Sequence, residues 1–235
     1  NNSYSGITKV KQGTLQIGNG GTAGTVGNNS AAAKAVIDSG ATLRYVRSDR
    51  INPGVYDYST NVYTAFEGDG SLIFSGPASN NRGGYILRSV SPNLSASASV
   101  VIDNANVNIR EVGSTVFGAA PIDVNDGATL TLRGFGTTYT NNFTIAGAGK
   151  VWGNADGALK LSGWNQSNKS AEISGSVTLA GDTKIGVLSG GVLTISGVIS
   201  ESGGAADLEK IGNATLVLSG ANTYTGATRI SSGSL

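Results

Sequence analysis

A short unit of glycine followed by alternating apolar residues recurs along the whole chain, and this repetition restricts the fold more than any other feature. Examples are Gly13-Thr14-Leu15-Gln16-Ile17, Gly70-Ser71-Leu72-Ile73-Phe74 and Gly191-Val192-Leu193-Thr194-Ile195. Alternation of apolar and polar residues is typical of β-strands, and glycine marks the turns between them. The first apolar residues of the units lie at 15, 43, 72, 100, 130 and 159, then at 177, 193, 216 and 235. A repeat of this length indicates a repetitive architecture.

The spacing predicts an all-β fold in which each period forms one coil of a parallel β-helix, with roughly ten coils over the 235 residues. The Leu, Val and Ile side chains of successive coils stack inward, and Gly or Asn occupies the corners. Stacked coils lie about 4.8 Å apart, so that neighbouring coils supply one another's backbone hydrogen bonds. Residues 31–38 are compatible with a short helix or a strand, and their strand-like flanks favour the strand.

The composition excludes several classes of catalytic and binding site. The chain contains no His and no Cys, which excludes Ser-His-Asp and Cys-His catalysis, Cys/His zinc sites and disulfides. Sixteen Lys plus Arg against fifteen Asp plus Glu give a net charge of +1, which provides no long-range attraction for nucleic acid. No apolar run approaches the roughly 18 residues that a membrane span requires, so we expect no membrane insertion by this segment. We also expect no cofactor and no metal.

The two ends of the chain carry the same motif. Residues 4–15 align with residues 224–235, with Tyr, Gly, Thr, Gly and Leu identical in register. Residues 191–235 contain Leu208-Glu209-Lys210-Ile211-Gly212-Asn213 and closely resemble the autotransporter-associated β-strand repeat, as do residues 4–50. By this resemblance, residues 1–235 are identified as a single β-helix segment of a longer autotransporter (type V secretion) passenger. Partial repeats then occupy 1–50 and 191–235, with a loop-bearing middle at 44–88.

The resemblance implies a right-handed parallel β-helix that is displayed on the Gram-negative cell surface or secreted. It implies a non-catalytic rod that mediates adhesion or host interaction, with a membrane β-barrel translocator elsewhere in the full-length chain. The implied partners are a host cell-surface receptor or glycan, or a second passenger through self-association. Two alternatives remain open, namely a released soluble ligand of a host receptor and a pure stalk that serves secretion and folding.

The middle of the chain is rich in Arg and Tyr. Residues 44–133 contain seven Arg and no Lys, and four of the eight Tyr lie between residues 44 and 66. Arg binds sulfate, phosphate or carboxylate through two parallel hydrogen bonds, and Tyr offers a flat apolar face to sugars or proteins. The sequence therefore predicts a candidate ligand surface formed by Arg44, Tyr45, Arg47, Arg50, Tyr56, Tyr58, Tyr63, Arg82 and Arg88. The alternative is that these residues form the solenoid wall, with the Arg side chains paired to nearby Asp or Glu.

A polysaccharide-degrading enzyme is the alternative from a different class. Glycoside hydrolysis requires two carboxylates about 5 to 9.5 Å apart. The candidate pairs are Asp123 with Asp126, and Asp103 with Asp123 or Glu111. We favour turns over catalysis, because Asp-Gly dipeptides such as Asp126-Gly127 are typical of turns. The run from Asp123 to Gly127 is similar to a calcium loop but lacks the downstream bidentate Glu.

Overall fold

The computed structural model describes residues 2–21, 23–26, 34–47, 61–62, 65–76, 84–87, 93–109, 117–134, 136–150, 157–162, 169–188 and 190–235. In these ranges the chain forms β-strands and no helix. Consequently, this part of the chain offers no helix that is long and apolar enough to cross a membrane. The all-β class that the alternating pattern predicts is confirmed.

The strands are short and follow one another at close intervals. The first nine are β1 (Thr8–Val10), β2 (Thr14–Ile17), β3 (Lys34–Ile37), β4 (Thr42–Val46), β5 (Asn61–Val62), β6 (Ala65–Gly68), β7 (Ser71–Ser75), β8 (Gly84–Leu87) and β9 (Asn93–Leu94). The next seven are β10 (Ser99–Asp103), β11 (Asn106–Ile109), β12 (Ile122–Val124), β13 (Thr129–Arg133), β14 (Thr137–Tyr139), β15 (Phe143–Gly147) and β16 (Leu159–Ser162). The last seven are β17 (Ser170–Ile173), β18 (Val177–Val187), β19 (Val192–Ile195), β20 (Ile199–Glu201), β21 (Leu208–Ile211), β22 (Thr215–Leu218) and β23 (Thr228–Ile230).

Parallel pairing of strands from successive coils builds three sheets. One sheet has the order β1-β3-β6-β9 and another has the order β14-β17-β19-β22. The third sheet has 15 strands, because β18 is long enough to pair with β15 and β20 at one end and with β16 and β21 at the other. Strands that are far apart in sequence pair only with the coil before and the coil after, so the molecule is a parallel β-solenoid.

A ladder of apolar side chains fills the interior along the stack. In register, it consists of Leu15, Leu43, Leu72, Val100, Ile122, Phe143, Val177 and Ile199. Leu43, Leu72 and Val100 are completely buried. Alternating residues of a strand point to opposite faces, so each strand contributes one set of side chains to this core and the other to the surface.

The structure corrects the sequence prediction in two details. The spacing placed Leu130 and Leu159 in the same ladder as Leu15, whereas Leu130 stacks between Val107 and Leu159 on β11, β13 and β16. The glycine-apolar pattern precedes strands on different faces, such as β7, β13 and β19, so spacing alone does not identify the face. The ladder through Leu15 contains eight strands in the described ranges, so the coil count is also lower than roughly ten.

Two local predictions concern the first coils. Lys34–Ile37 forms strand β3 between β1 and β6, so the strand interpretation of this stretch is confirmed where the structure describes it. The aligned end motifs also share a side-chain contact. Tyr4 Oη lies 2.6 Å from Thr8 Oγ1, and Tyr224 Oη lies 2.5 Å from Thr228 Oγ1. The same five-residue motif therefore forms the same local hydrogen bond at both ends of the chain.

One corner shows why glycine is needed. Gly68 has a φ of +106°, and a Cβ at this position would lie 2.2 Å from the carbonyl oxygen of Ile37 on the preceding coil. Only a residue without a side chain fits both the backbone conformation and the close approach.

Candidate ligand surface

Among the members of the predicted ligand surface that the structure describes, Arg44 lies on the outside. It lies on β4, and its Nε donates a hydrogen bond to Ser75 Oγ at 3.2 Å. Its Nη2 lies 4.0 Å from Asp103 Oδ2, and the two side chains are 42% and 45% exposed. The guanidinium therefore extends along the solenoid axis across two coils. A loose, exposed ion pair of this kind contributes little stability.

Arg44 lies in an outward-facing ladder of mixed chemistry. In register, this ladder contains Gln16, Arg44, Ile73, Val101, Asp123, Thr144, Thr178 and Ser200. Ile73 and Val101 are half-buried, and hydroxyl-bearing residues flank them, with Ser71 Oγ 2.8 Å from Ser99 Oγ. The surface next to Arg44 thus combines one cation with apolar and hydroxyl groups.

Tyr45 does not lie on the surface as the sequence predicted. Only 2% of it is exposed, and its ring stacks on Phe74 with a centroid distance of 5.5 Å. The rings of Phe66 and Tyr85 meet it edge-on, at 6.2 and 6.1 Å. The physical reason is the period of the strand, because Arg44 faces solvent and its neighbour must then face the core.

Arg47 is also buried, at 5% exposure. Its Nη1 donates to the carbonyl oxygen of Gly24, and its backbone N donates to Tyr85 Oη at 2.9 Å. Tyr85 Oη in turn donates to the carbonyl oxygen of Ser75 at 2.5 Å. Arg47 therefore connects neighbouring coils through hydrogen bonds inside the solenoid. For Arg47 and Tyr45, the structure favours the alternative interpretation, in which these residues form part of the solenoid itself.

The remaining predicted residues lie outside the described residues. These are Arg50, Tyr56, Tyr58, Tyr63, Arg82 and Arg88. A ligand surface built on them together with Arg44 stays a prediction.

A charged groove near the other end of the solenoid was not anticipated from the sequence. Its volume is about 340 Å³, and its lining consists of Ala148, Asp182, Thr183, Lys184, Asp207, Glu209 and Arg229. Lys184, Glu209 and Arg229 occupy the same register on β18, β21 and β23. Each is the middle residue of a short strand segment, but these segments align only when the coil lengths between them are known.

Ion pairs within the groove hold its charged side chains in place. Lys184 Nζ lies 2.9 Å from Glu209 Oε2, and Arg229 Nη2 lies 3.4 Å from Asp207 Oδ2. The hydroxyl of Ser231 and the ammonium of Lys184 hold the pKa of Glu209 below its ordinary value. Arg229 is 67% exposed, which leaves its guanidinium accessible to an anionic group.

Asp103 and Asp123, one of the candidate catalytic pairs, do not occupy the same register position. Asp123 pairs in register with Val101 and Thr144, whereas Asp103 pairs with Ser75. Asn125 Nδ2 donates to Asp103 Oδ1 at 3.4 Å, so this carboxylate takes part in a corner contact. Glu111 lies outside the described residues. The described ranges also contain no group of three or more Asp or Glu placed to hold a metal ion.

A stacked parallel solenoid with charged groups on its outer faces defines the chain as a rod-like repeat protein. The family model of the passenger-associated-transport-repeat matches residues 1–17 and 208–235. The chain is also similar to the adhesin BmaC autotransporter of Brucella suis biovar 1 (strain 1330), with 30% identity over 97% of the chain. No solved structure matches it. The chain is thus a segment of an autotransporter passenger, located at the Gram-negative cell surface or secreted.

The similar region is a small part of the relative. The chain covers 6% of the length of that adhesin. The repeat matches at the two ends lie within the ranges 1–50 and 191–235 that the sequence assigned to partial repeats.

Proposed function

We propose that this segment mediates adhesion as a non-catalytic rod that carries a ligand surface away from the bacterial cell. The similarity to an adhesin along nearly the whole chain is the observation that carries the proposal. The proposed partner is a host cell-surface receptor or glycan. A translocator elsewhere in the full-length protein would anchor or release the passenger.

The proposed ligand surface consists of Arg44 together with Arg50, Tyr56, Tyr58, Tyr63, Arg82 and Arg88. Two features support this choice, namely the exposed guanidinium of Arg44 and the half-buried apolar groups beside it. A host ligand with sulfate, carboxylate or phosphate groups matches this chemistry, because guanidinium binds such groups in a bidentate manner. The charged groove around Arg229 is the alternative surface for the same role.

Binding of the labelled, purified chain to host cells and glycan arrays tests the proposal. We expect saturable binding that becomes at least about tenfold weaker when Arg44, Arg50, Tyr56 and Tyr58 are changed to Ala, a loss of about 1.4 kcal/mol. Lys9→Ala is the matched control, because Lys9 is also an exposed cation in an ion pair, 3.4 Å from Asp38. Circular dichroism establishes that each variant is folded.

The alternatives give different results in the same experiment. A loss of binding in Arg229→Ala and Asp182→Asn, but not in the Arg44 variant, would move the ligand surface to the groove. No binding by the unaltered chain would favour the stalk, whose role is secretion and folding. Release of oligosaccharides from a polysaccharide by the chain alone would overturn the non-catalytic assignment.

A further inference from the structure

Lys210 is a buried cation without a carboxylate among its hydrogen-bond partners. It lies on β21 in the inward-facing register between Ile185 and Ile230, and none of it is exposed. Its Nζ donates to the carbonyl oxygens of Ile211 at 3.0 Å and Gly212 at 2.7 Å. Burial lowers the pKa of this ammonium group. A buried charge is tolerated only when its donors are satisfied, and here backbone carbonyls satisfy them.

The third acceptor belongs to the next coil. Lys210 Nζ donates to the carbonyl oxygen of Ser232 at 3.0 Å, 22 residues further along the chain. An ammonium group has three donors, so this contact completes its set of hydrogen bonds. Before the next coil docks, the same group has acceptors only from its own coil.

Gly233 lies directly over the ammonium group. Its φ is +75°, and a Cβ there would lie 2.8 Å from Lys210 Nζ. The same Cβ would lie 2.3 Å from the carbonyl oxygen of Ala214 and 2.5 Å from that of Gly212. The coil that supplies Ser232 therefore reaches Lys210 only because residue 233 has no side chain.

We propose that Lys210 and Gly233 form a docking latch, a set of contacts that couples the coil containing β21 to the coil that follows it. Docking of residues 219–235 satisfies the third donor of Lys210, and Lys210 in turn fixes the corner at residues 231–234. Both residues lie in the range 208–235 that the repeat family model matches. The latch concerns how coils assemble on one another and is independent of whether the segment binds a host ligand.

The other end of the chain provides a natural comparison. Gly13 is the counterpart of Gly233 in the aligned motifs, and its φ is +66°. A Cβ at residue 13 would have nothing within 4 Å. Gly13 lies on the first coil of the chain used in the experiment, so in this chain Gly13→Ala measures the cost of the backbone conformation alone.

Hydrogen exchange of individual backbone amides tests the latch. The reporting amides are those of Ser231, Ser234 and Leu216, which donate to the carbonyl oxygens of Lys210, Ala214 and Ser234. Lys210→Met keeps an unbranched side chain of similar length and removes the charge and the donors. We expect exchange at these amides to become at least about tenfold faster, because hydrogen bonds to a charged group are among the stronger ones.

The control variants separate the latch from general destabilisation. Gly233→Ala should accelerate exchange at the same amides, whereas Gly13→Ala should leave them unchanged. Lys9→Met removes an exposed Lys at the other end of the solenoid and should also leave them unchanged. Protection that survives in Lys210→Met would overturn the latch. An increase that is equally large in β1 and β2 would also overturn it, because the effect would then not be local to the docked coil.

Discussion

The coils around residues 42–118 and the coils from residue 136 onward stack in the same way, but different side chains fill their interiors and connect them. In the first region, large aromatic rings fill the interior. The rings that contact one another are those of Tyr45, Phe66, Phe74, Tyr85 and Phe117. All of them are at least 98% buried. We call this group the aromatic cluster.

The second region has smaller side chains in its interior and more polar contacts between coils. Its inward ladders consist mainly of Leu, Ile, Val and Ala, as in Ala171, Leu193 and Leu216. Side chains of one coil bond to the next in several places. The pairs are Asn142 with Ser176, Glu172 with Ser196, Asn222 with Ile199, Glu201 with Thr225, Asp207 with Ala227, and Glu209 with Ser231. We call these contacts the polar clamps.

The two regions also differ in the length of some connections between strands. Fourteen residues separate Val46 from Asn61, whereas only three separate Ile195 from Ile199. Long connections leave room for sequence variation and for ligand-binding groups, and buried aromatic rings contribute stability. Short coils have tight corners, where a carboxylate or amide can reach the backbone of the next coil. The aromatic region is therefore suited to display and the clamped region to regular stacking.

The largest effect is expected from Phe74→Ala, because Phe74 contacts four rings of the aromatic cluster. Removing a fully buried Phe costs about 3 to 5 kcal/mol. Urea unfolding followed by circular dichroism measures the loss, and hydrogen exchange locates it. Val217→Ala on the outer face is the control and should change stability by less than about 0.5 kcal/mol. A cost for Phe74→Ala below about 1 kcal/mol would contradict the role of the cluster.

Tyr85→Phe tests whether the aromatic cluster also depends on polar contacts. The change keeps the ring and removes the hydroxyl that accepts from the Arg47 backbone N and donates to the Ser75 carbonyl. The loss of buried hydrogen bonds should destabilise the protein by about 1 to 3 kcal/mol. Tyr224→Phe removes an exposed hydroxyl contact and should cost less than about 0.5 kcal/mol. Equal costs for the two variants would show that burial of the Tyr85 hydroxyl has no effect on stability.

Asn222→Ala tests one polar clamp in isolation. Asn222 Oδ1 accepts from the backbone N of Ile199 on the preceding coil at 2.9 Å. A typical hydrogen bond contributes about 1 kcal/mol, which corresponds to roughly fivefold faster exchange of the Ile199 amide. Asn213→Ala changes an exposed Asn in the same region and should leave that amide unaffected. If both variants accelerate exchange alike, the clamp is not the cause.

The comparison also shows what the sequence determines locally and what it does not. Strands at Thr14–Ile17, Ser71–Ser75 and Val192–Ile195 were predictable, because glycine and alternation act over a few residues. The face on which a strand lies was not, since it depends on the lengths of all preceding connections. That is why Leu130 was assigned to the wrong ladder.

The same limit applies to the candidate sites. Arg44 and Tyr45 are adjacent in sequence, and composition alone placed both on the surface, although strand alternation separates them. The groove was missed because Lys184, Glu209 and Arg229 become neighbours only through coil register. The contacts of Lys210 were missed for the same reason, because its third acceptor lies on the next coil.

Acid should weaken the polar clamps before the aromatic cluster. Hydrogen bonds from the Thr225 hydroxyl and the Ala206 backbone N lower the pKa of Glu201. The Ser231 hydroxyl and Lys184 likewise lower the pKa of Glu209. A carboxylate whose pKa is lower in the folded state stabilises that state above its unfolded pKa, which is about 4.3 for Glu. This stabilisation is lost as the pH falls through the folded pKa.

Hydrogen exchange between pH 7 and pH 3, corrected for the intrinsic exchange rate, measures this effect. We expect the protection factors of amides in β20, β21 and β23 to fall a few-fold further than those of amides in β4 and β7. Because both carboxylates are partly exposed to solvent, the effect should be the smallest of the four. Glu201→Gln together with Glu209→Gln should flatten the pH dependence in the clamped region and leave the aromatic region unchanged. An undiminished pH dependence in this double variant would assign the acid sensitivity to other groups. The polar clamps and the aromatic cluster would then differ in geometry but not in their response to pH.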